Sequence, residues 1–273
     1  MRRLIIRPGA IGDFVVSLPA MECLQTSHLE VWAASQNLPL VRFAARARSI
    51  ISTGLDLLGV SDPDPNLIHE LRSFDSIVSW YGANRPDFRQ LVRTLALPFE
   101  FLSALPPPET KMHAADFFLQ QVRTLVNCQR DGIPRIPATG KRGDFAVIHP
   151  FASGPSKCWP LERFRQLAHR MEKHLAVQWC AGPEEALPDA VRFDDLYELA
   201  LWLSTARLYI GNDSGIAHVA AAAGTPSVVL FGPTNPVLWG PRGRAVQIVA
   251  REQMDLIRVE DVENAVSLLL ART

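Results

Sequence analysis

The sequence predicts an α/β protein made of two similar domains, each built on a parallel sheet. Short apolar segments alternate with longer segments of helical periodicity through nearly all of the 273 residues, which is typical of helices layered on parallel strands. The alternation stops over residues 127–143 and then restarts with a new apolar strand. A chain of this length can form two domains of ordinary size, each with its own core.

The predicted strands are short apolar runs, and the predicted helices are longer amphipathic or alanine-rich runs. We expect strands at residues 4–6, 29–32, 49–52, 77–80, 145–149, 177–180, 208–210, 227–231 and 246–249. We expect helices at residues 14–24, 38–47, 87–97, 114–126, 161–174, 195–203, 215–223 and 259–271.

Residues 127–143 are predicted to link the two domains. The segment contains Asp131-Gly132, Pro134, Pro137 and Gly140 and has little apolar periodicity, a composition typical of a linker. We therefore expect a first domain over residues 1–135 and a second over residues 136–273, facing each other across a cleft.

The composition excludes several classes of protein. Lys+Arg and Asp+Glu both total 28, and this balance argues against a nucleic-acid-binding protein. The four cysteines, at positions 23, 128, 158 and 180, show no CxxC spacing, so we expect neither a zinc site nor a disulfide framework, and a reducing cytosol. With no signal-peptide pattern and no apolar run of membrane-spanning length, the predicted location is cytoplasmic.

The most informative motif follows the predicted strand at residues 208–210. Asp213 and Ser214 are favourable helix N-caps, Gly215 permits close backbone approach, and Gly224 suits the position just after the helix. Because a helix N-terminus at this edge of a sheet binds anions, the motif predicts a phosphate site. His218 follows on the same helix, either as a packing residue or as a catalytic one.

A second candidate lies in the loop after the first predicted strand, residues 7–14. Its glycines are not spaced as GxGxxG, so a dinucleotide fingerprint is not supported. Asp13 stands where this loop meets a helix. It is either the N-cap of that helix or a general base that points into the cleft.

Two further polar loops follow strands of the second domain. Lys157, with Ser153, is placed to neutralise a phosphate or to remain a solvated loop residue, and Trp159 is expected to pack the start of the next helix. Glu184 is either a partner for ribose hydroxyls or part of a solvated acidic loop. No paired His or Cys spacing indicates a metal site.

Together these segments resemble glycosyltransferase family 9, the heptosyltransferases of lipopolysaccharide core assembly. The motifs occur in the family's order over nearly the whole chain. They are Arg7-x-Gly-x-Ile-Gly-Asp13 with Pro19 downstream, Lys157-x-Trp-Pro, Gly182-Pro-Glu184, Asp213-Ser-Gly-x-x-His218, Gly224-x-Pro226 and Phe231-Gly-Pro-Thr234.

The resemblance implies a GT-B fold, in which two Rossmann-like domains with parallel sheets face an interdomain cleft. It implies inverting transfer of heptose or a related sugar from an ADP-sugar to a lipopolysaccharide core or other envelope glycan, without a metal or another cofactor. The implied partners are the nucleotide-sugar donor and a glycolipid or glycan acceptor, with a peripheral contact at the cytoplasmic face of the inner membrane and no nucleic acid.

The resemblance also implies residue roles. Asp13 is the expected general base that deprotonates the acceptor. The expected donor contacts are Ser153 and Lys157 with the diphosphate, Glu184 with the ribose, Asp213 with sugar hydroxyls, and Ser214 and Gly215 with the diphosphate, with His218 beside them.

Two departures from the family affect the acceptor side. Ala152-Ser153 replaces a hydroxyl pair, and the first domain is short for the family. Arg72, Arg85 and Arg89 are candidate acceptor contacts or ordinary surface arginines. The sequence therefore keeps open a catalytically inactive nucleotide-binding protein with a regulatory or scaffold role and, less favoured, a sugar-nucleotide epimerase.

Overall fold

The computed structural model describes residues 1–272, and in this range it contains two five-stranded parallel sheets. The strands are β1 (Arg2–Arg7), β2 (His28–Ala33), β3 (Arg46–Ser49), β4 (Ser76–Ser79), β5 (Phe99–Phe101), β6 (Phe145–His149), β7 (Ala176–Trp179), β8 (Leu208–Asn212), β9 (Ser227–Phe231) and β10 (Val246–Ala250). The helices are α1 (Ile11–Cys23), α2 (Pro65–Arg72), α3 (Pro86–Thr94), α4 (Ala114–Arg123), α5 (Leu161–Met171), α6 (Leu196–Thr205), α7 (Gly215–Ala222), α8 (Pro236–Trp239) and α9 (Val259–Leu270).

The strand order places polar loops where ligands bind. The first sheet has the order β3-β2-β1-β4-β5 and the second has the order β10-β9-β8-β6-β7. The order reverses between β1 and β4 in one sheet and between β6 and β8 in the other, and the crevice outside such a reversal is where open α/β sheets bind ligands. The middle of β1 is apolar and buried, with Ile5 opposite Val31 and Val78, because both faces of a parallel sheet are covered.

The predicted alternation of strands and helices is confirmed, although α2, β5 and the short α8 were not predicted and two assignments in the first half are wrong. The strand expected at residues 49–52 is wrong, because Ile50–Thr53 form a 3-10 helix directly after β3. The helix expected at residues 38–47 is also wrong, because this segment contains the end of the 3-10 helix Ser35–Leu40 and the first half of β3. β3 is an edge strand of alternating Arg and small residues, so it lacks the apolar run that identified the other strands.

Helices α1 and α7, one from each half of the chain, pack together through glycine. A Cβ atom at Gly215 would lie 2.7 Å from the Ile11 Cβ and 3.1 Å from the Gly12 nitrogen. A Cβ atom at Gly12 would lie 3.2 Å from the His218 ring. The two helix N-termini therefore meet at backbone distance, and both open into the space between the sheets.

The two halves share further contacts besides this one. The largest cluster of buried apolar side chains contains residues of both halves, among them Phe14, Phe118, Leu199 and Val219. Residues 127–143 contain no helix or strand, as expected of a linker. The domain boundary at residue 135 stays a prediction.

One expectation about the cysteines is wrong. Cys23, the last residue of α1, forms a disulfide with Cys128 in the linker, across 105 residues of sequence. Cys158 and Cys180 are free. The spacing of a pair so distant in sequence carries no local signal, since only the fold brings the two Cα atoms to 5.7 Å.

Within residues 1–272, none of the helices combines the length and the apolar character needed to cross a bilayer.

We predict that Gly215→Ala destabilises the fold. The added methyl group meets backbone and a Cβ atom rather than a flexible side-chain end, and overpacking of this kind costs about 1–3 kcal/mol. Chemical denaturation should show an earlier unfolding midpoint. Gly154→Ala is the matched control, because Gly154 has extended backbone and no atom within 4 Å of the added Cβ. Equal midpoints for the two variants would contradict the close α1–α7 contact.

Candidate functional site

A cleft of about 370 Å³ lies between the sheets at the carboxyl ends of β1 and β8. Its wall includes seven residues that the sequence singled out: Asp13, Ser153, Lys157, Asp213, Ser214, Gly215 and His218. Gln36, Thr234 and Trp239 also line it. The structure thus brings residues from five separate segments of the chain to one cavity.

The N-terminus of α7 has the geometry of an anion site. Ser214 is its N-cap, and the Ser214 hydroxyl accepts a hydrogen bond from the Ala217 N–H at 3.4 Å. At the other end Gly224 takes a positive φ of 83°. The Gly224 and Thr225 N–H groups return to the Ala221 and Ala220 carbonyls in a Schellman motif. Both predicted ends are confirmed, and Ser214 and Gly215 at the start of α7 line the cleft.

Lys157 and Asp213 form an ion pair at the base of the cleft. The Lys157 Nζ lies 2.8 Å from the Asp213 Oδ2, and the aspartate side chain is only 7% exposed. A carboxylate buried to this extent needs a cation or hydrogen-bond donors to remain charged. An anion bound at the α7 N-terminus would therefore compete with Asp213 for the Lys157 ammonium.

Asn212 holds the Lys157 loop against β8. The Asn212 side chain donates to the Pro150 carbonyl at 2.8 Å and accepts from the Trp159 N–H at 3.1 Å. Trp159 itself is buried and packs edge-on against Phe164, as predicted. Asn212 was missed as a positioning residue because its partners come from a loop more than fifty residues away.

Asp13 lies in the first turn of α1 and is not its N-cap, which is Ala10. The N-cap alternative is therefore wrong. In the part of the chain that the structure describes, the Asp13 carboxylate accepts no hydrogen bond, while it lines the cleft. It is free to meet a donor group of a ligand.

A buried arginine supports the Asp13 loop from below. The Arg7 guanidinium donates to the Asp13 carbonyl and to the Ser17 hydroxyl, both at 3.1 Å. Burial lowers the pKa of Arg7 to about 10, and the nearby Asp13 charge partly opposes that shift. Arg7 therefore stays charged at neutral pH, and it adds positive potential beneath the cleft.

His218 is neutral in this setting. It is buried against Gly12, and burial lowers its pKa to about 4 even though Asp213 acts in the opposite direction. A neutral imidazole packs at the α1–α7 contact and also reaches the cleft, so the two interpretations of His218 are compatible. It cannot act as a charged acid at pH 7.

A second cavity of about 340 Å³ adjoins the first and shares Ser153, Ser214 and Gly215 with it. Apolar side chains such as Leu196 and Leu199 line it. Two carboxylate residues, Glu185 and Asp194, also line it.

Glu184, the predicted ribose contact, is exposed and lines neither cavity. The tight turn that begins at Gly182 directs the Glu185 carboxylate inward, where it accepts from the Gly182 N–H at 2.6 Å and lies 3.3 Å from the His149 Nε2. Burial alone raises the pKa of Glu185, but these two contacts outweigh it and hold the pKa below its ordinary value. A Gly-x-x-Glu turn is the sequence signal that favours Glu185.

The three candidate acceptor arginines lie away from the cleft. Arg72 is exposed and donates to the Leu95 carbonyl. Arg85 contacts the Tyr81 hydroxyl and the Asp56 carbonyl, and Arg89 donates to the Ala83 carbonyl. None of the three lines either cavity, so their acceptor role stays a prediction.

Comparison with known proteins agrees with this geometry. Residues 85–265 match the profile of glycosyltransferase family 9 (heptosyltransferase). A lipooligosaccharide heptosyltransferase 2 of Haemophilus ducreyi is 24% identical over 201 residues, which cover 66% of this chain and 58% of that protein. The chain thus spans little more than half the length of this curated relative.

Solved structures share the fold at low identity. A family 9 glycosyl transferase of Veillonella parvula superposes with a TM-score of 0.80 at 18% identity, covering 100% of this chain and 97% of that one. An E. coli heptosyltransferase solved with ADP superposes with a TM-score of 0.76 at 16% identity, covering 98% and 99%.

The two parallel sheets and the cleft between them define a GT-B fold. The profile match covers well over half of the chain, and the chain belongs to glycosyltransferase family 9.

We predict that His218 contributes to a loss of stability in acid. The pKa of His218 is about 4 in the folded chain and about 6.5 when unfolded. Between these values only the unfolded chain binds the proton, so the free energy of unfolding falls as pH falls from 6.5 towards 4. His218→Gln, which cannot titrate, should lose less stability than wild type between pH 7 and pH 5 in urea denaturation. Exposed His174→Gln is the control, and parallel pH profiles for wild type and His218→Gln would contradict the assignment.

Proposed function

We propose that this chain is an inverting glycosyltransferase that transfers heptose or a related sugar from an ADP-sugar to a lipopolysaccharide core or another envelope glycan. One observation carries the proposal: a single cleft brings the free Asp13 carboxylate of one half to Lys157, Asp213 and the α7 N-terminus of the other. A base, a cation and an anion site around one cavity are the groups that transfer from a sugar diphosphate requires.

The donor is proposed to span both cavities. Its diphosphate lies at the α7 N-terminus, where the N–H groups, the Ser214 hydroxyl and the Lys157 ammonium meet it, with Ser153 at the junction. Its nucleoside occupies the apolar second cavity, with a ribose hydroxyl donating to Glu185, the neighbour of the residue expected from sequence. Lys157 then exchanges Asp213 for phosphate, and Asp213 accepts hydrogen bonds from sugar hydroxyls.

The reaction follows from this placement. Asp13 removes the proton of the acceptor hydroxyl, and the acceptor oxygen attacks the anomeric carbon from the face opposite the diphosphate. The bond between that carbon and the phosphate oxygen breaks, so the configuration inverts and the electron pair leaves with ADP. The charge that develops on ADP is stabilised by Lys157 and the α7 N–H groups, without a metal ion.

The acceptor is proposed to be a glycolipid or glycan reached at the cytoplasmic face of the inner membrane. Ile51 and Val60, in the segment between β3 and α2, are 78% and 73% exposed. Exposed apolar side chains of this kind support a peripheral contact with a membrane surface.

Nucleotide binding without transfer is the second candidate. It is favoured by the position of Arg72, Arg85 and Arg89, which leaves the cleft without the arginines expected to hold an acceptor. Release of sugar from ADP-heptose, even slow hydrolysis without acceptor, distinguishes an enzyme from a binding protein.

We predict that Asp13→Asn abolishes transfer while leaving nucleotide affinity intact. Loss of the general base should lower kcat about 10²–10⁴-fold, whereas the Kd for ADP should change less than about twofold because the diphosphate site belongs to the other half. ADP release from ADP-heptose with core-truncated lipopolysaccharide measures the first, and calorimetry measures the second. Asp87→Asn, in the first turn of α3, is the control; near-normal turnover in Asp13→Asn would refute the base.

We predict that ADP stabilises the chain more than UDP, GDP or CMP does. Ligand at 100–1,000 times its Kd adds about 3–4 kcal/mol to the free energy of unfolding. A thermal-shift series measures this, and EDTA should leave the ADP shift unchanged. Greater stabilisation by UDP or GDP would count against an ADP-sugar donor.

A further inference from the structure

Trp239 stands out among the residues of the cleft that the motifs do not include. It ends the four-residue helix α8, is half-buried and lines the cleft beside Thr234. Within residues 1–272, its indole stacks on no other ring and its N–H has no acceptor. By contrast, the Trp32 and Trp159 N–H groups donate to Glu30 and to the Ile257 carbonyl. The Trp239 side chain packs against the largest buried apolar cluster and also lines the cleft, and its N–H is free to donate to a ligand.

The backbone behind the ring is held by the other half of the chain. The Gly240 carbonyl accepts from the His113 Nε2 at 2.8 Å, and Arg242 pairs with both oxygens of Asp116 at 2.7 and 2.8 Å. Because the His113 Nδ1 accepts from the Ala115 N–H, the ring is the neutral tautomer that donates from Nε2. Burial correspondingly lowers the pKa of His113.

Gly240 is also packed tightly, since a Cβ atom there would lie 2.6 Å from the Pro236 carbonyl oxygen. Trp239 is therefore fixed in place before any ligand arrives, which reduces the entropic cost of contact.

The chemistry around the ring matches a sugar. A sugar ring has hydroxyl edges and an apolar C–H face, and an indole offers an apolar face together with one N–H donor. In the same cavity Asp213, once Lys157 has turned to the phosphate, supplies an acceptor for sugar hydroxyls. The diphosphate and nucleoside have their own groups, at the α7 N-terminus and in the second cavity.

We propose that Trp239 is the platform on which the sugar ring of the donor packs, so that it raises affinity for the nucleotide sugar and not for the nucleoside diphosphate. This inference rests on the proposed function. It assigns Trp239 to sugar selection, separate from Asp13, which acts on the acceptor.

The test compares the Kd values of ADP-heptose and of ADP by calorimetry. Trp239→Ala should weaken ADP-heptose about tenfold and leave ADP within about twofold. Trp239→Phe, which keeps an aromatic face, should recover most of the loss. Trp239→Leu keeps apolar bulk and so prevents collapse of the site, but it should not recover the lost affinity for ADP-heptose. Val237→Ala, on the same helix and 64% exposed, is the matched control and should change neither Kd.

Two binding results would overturn this inference and leave the proposed function intact. One is equal weakening of ADP and ADP-heptose binding by Trp239→Leu, and the other is unchanged ADP-heptose affinity in Trp239→Ala. A change confined to the KM for the acceptor would overturn it as well, since the ring would then face the acceptor. If the wild-type chain binds neither ligand, the proposed function fails and this inference fails with it.

Discussion

The backbone contact between α1 and α7 is the constraint on which the rest of the site depends. Each helix follows the central strand of its own sheet, and Gly215 lets the two N-termini approach without intervening side chains. Any larger residue at that position would separate the helices and move the Asp13 turn away from the Asp213 turn. The shape of the cleft therefore depends on the absence of a side chain at Gly215 as much as on the polar groups that line it.

Electrostatics follow from this approach. Two helix N-termini, the buried Arg7 guanidinium and Lys157 all direct positive potential into one cavity. Without a ligand, Asp213 pairs with Lys157, so the cavity does not hold an uncompensated cation. His218 adds no charge, because its burial keeps the imidazole neutral. A sugar diphosphate suits this arrangement, because we propose that its phosphates replace Asp213 at Lys157 and that its hydroxyls donate to the released Asp213 carboxylate.

The halves are joined at the back of the cleft as well as at its centre. The pairing of Asp116 with Arg242 and of His113 with the Gly240 carbonyl connects α4 to the loop after α8. The disulfide between Cys23 and Cys128 ties the end of α1 to the linker. These contacts hold α8 and α1 relative to one another, so residues from both halves can act on one ligand. A site built from both halves of the chain requires such support. If one half shifts by about 1 Å, the catalytic groups lose their alignment with the substrate and the reaction rate falls steeply.

The sequence by itself determined what depends on near neighbours in the chain. Alternating periodicity identified most strands and helices, and Ser214 and Gly224 marked the ends of α7 because capping is a local interaction. Parallel strands present their carboxyl ends at one edge, so polar loops at those ends predicted most of the cleft, from Asp13 to His218. Tertiary structure decided what depends on distant partners or on side-chain direction. It turned Glu185 rather than Glu184 into the second cavity, held Arg85 against Tyr81 and the Asp56 carbonyl, paired Cys23 with Cys128, and brought Trp239 to the cleft. No local pattern contains that information, since a turn's direction and a contact across a hundred residues exist only once the two sheets have packed together.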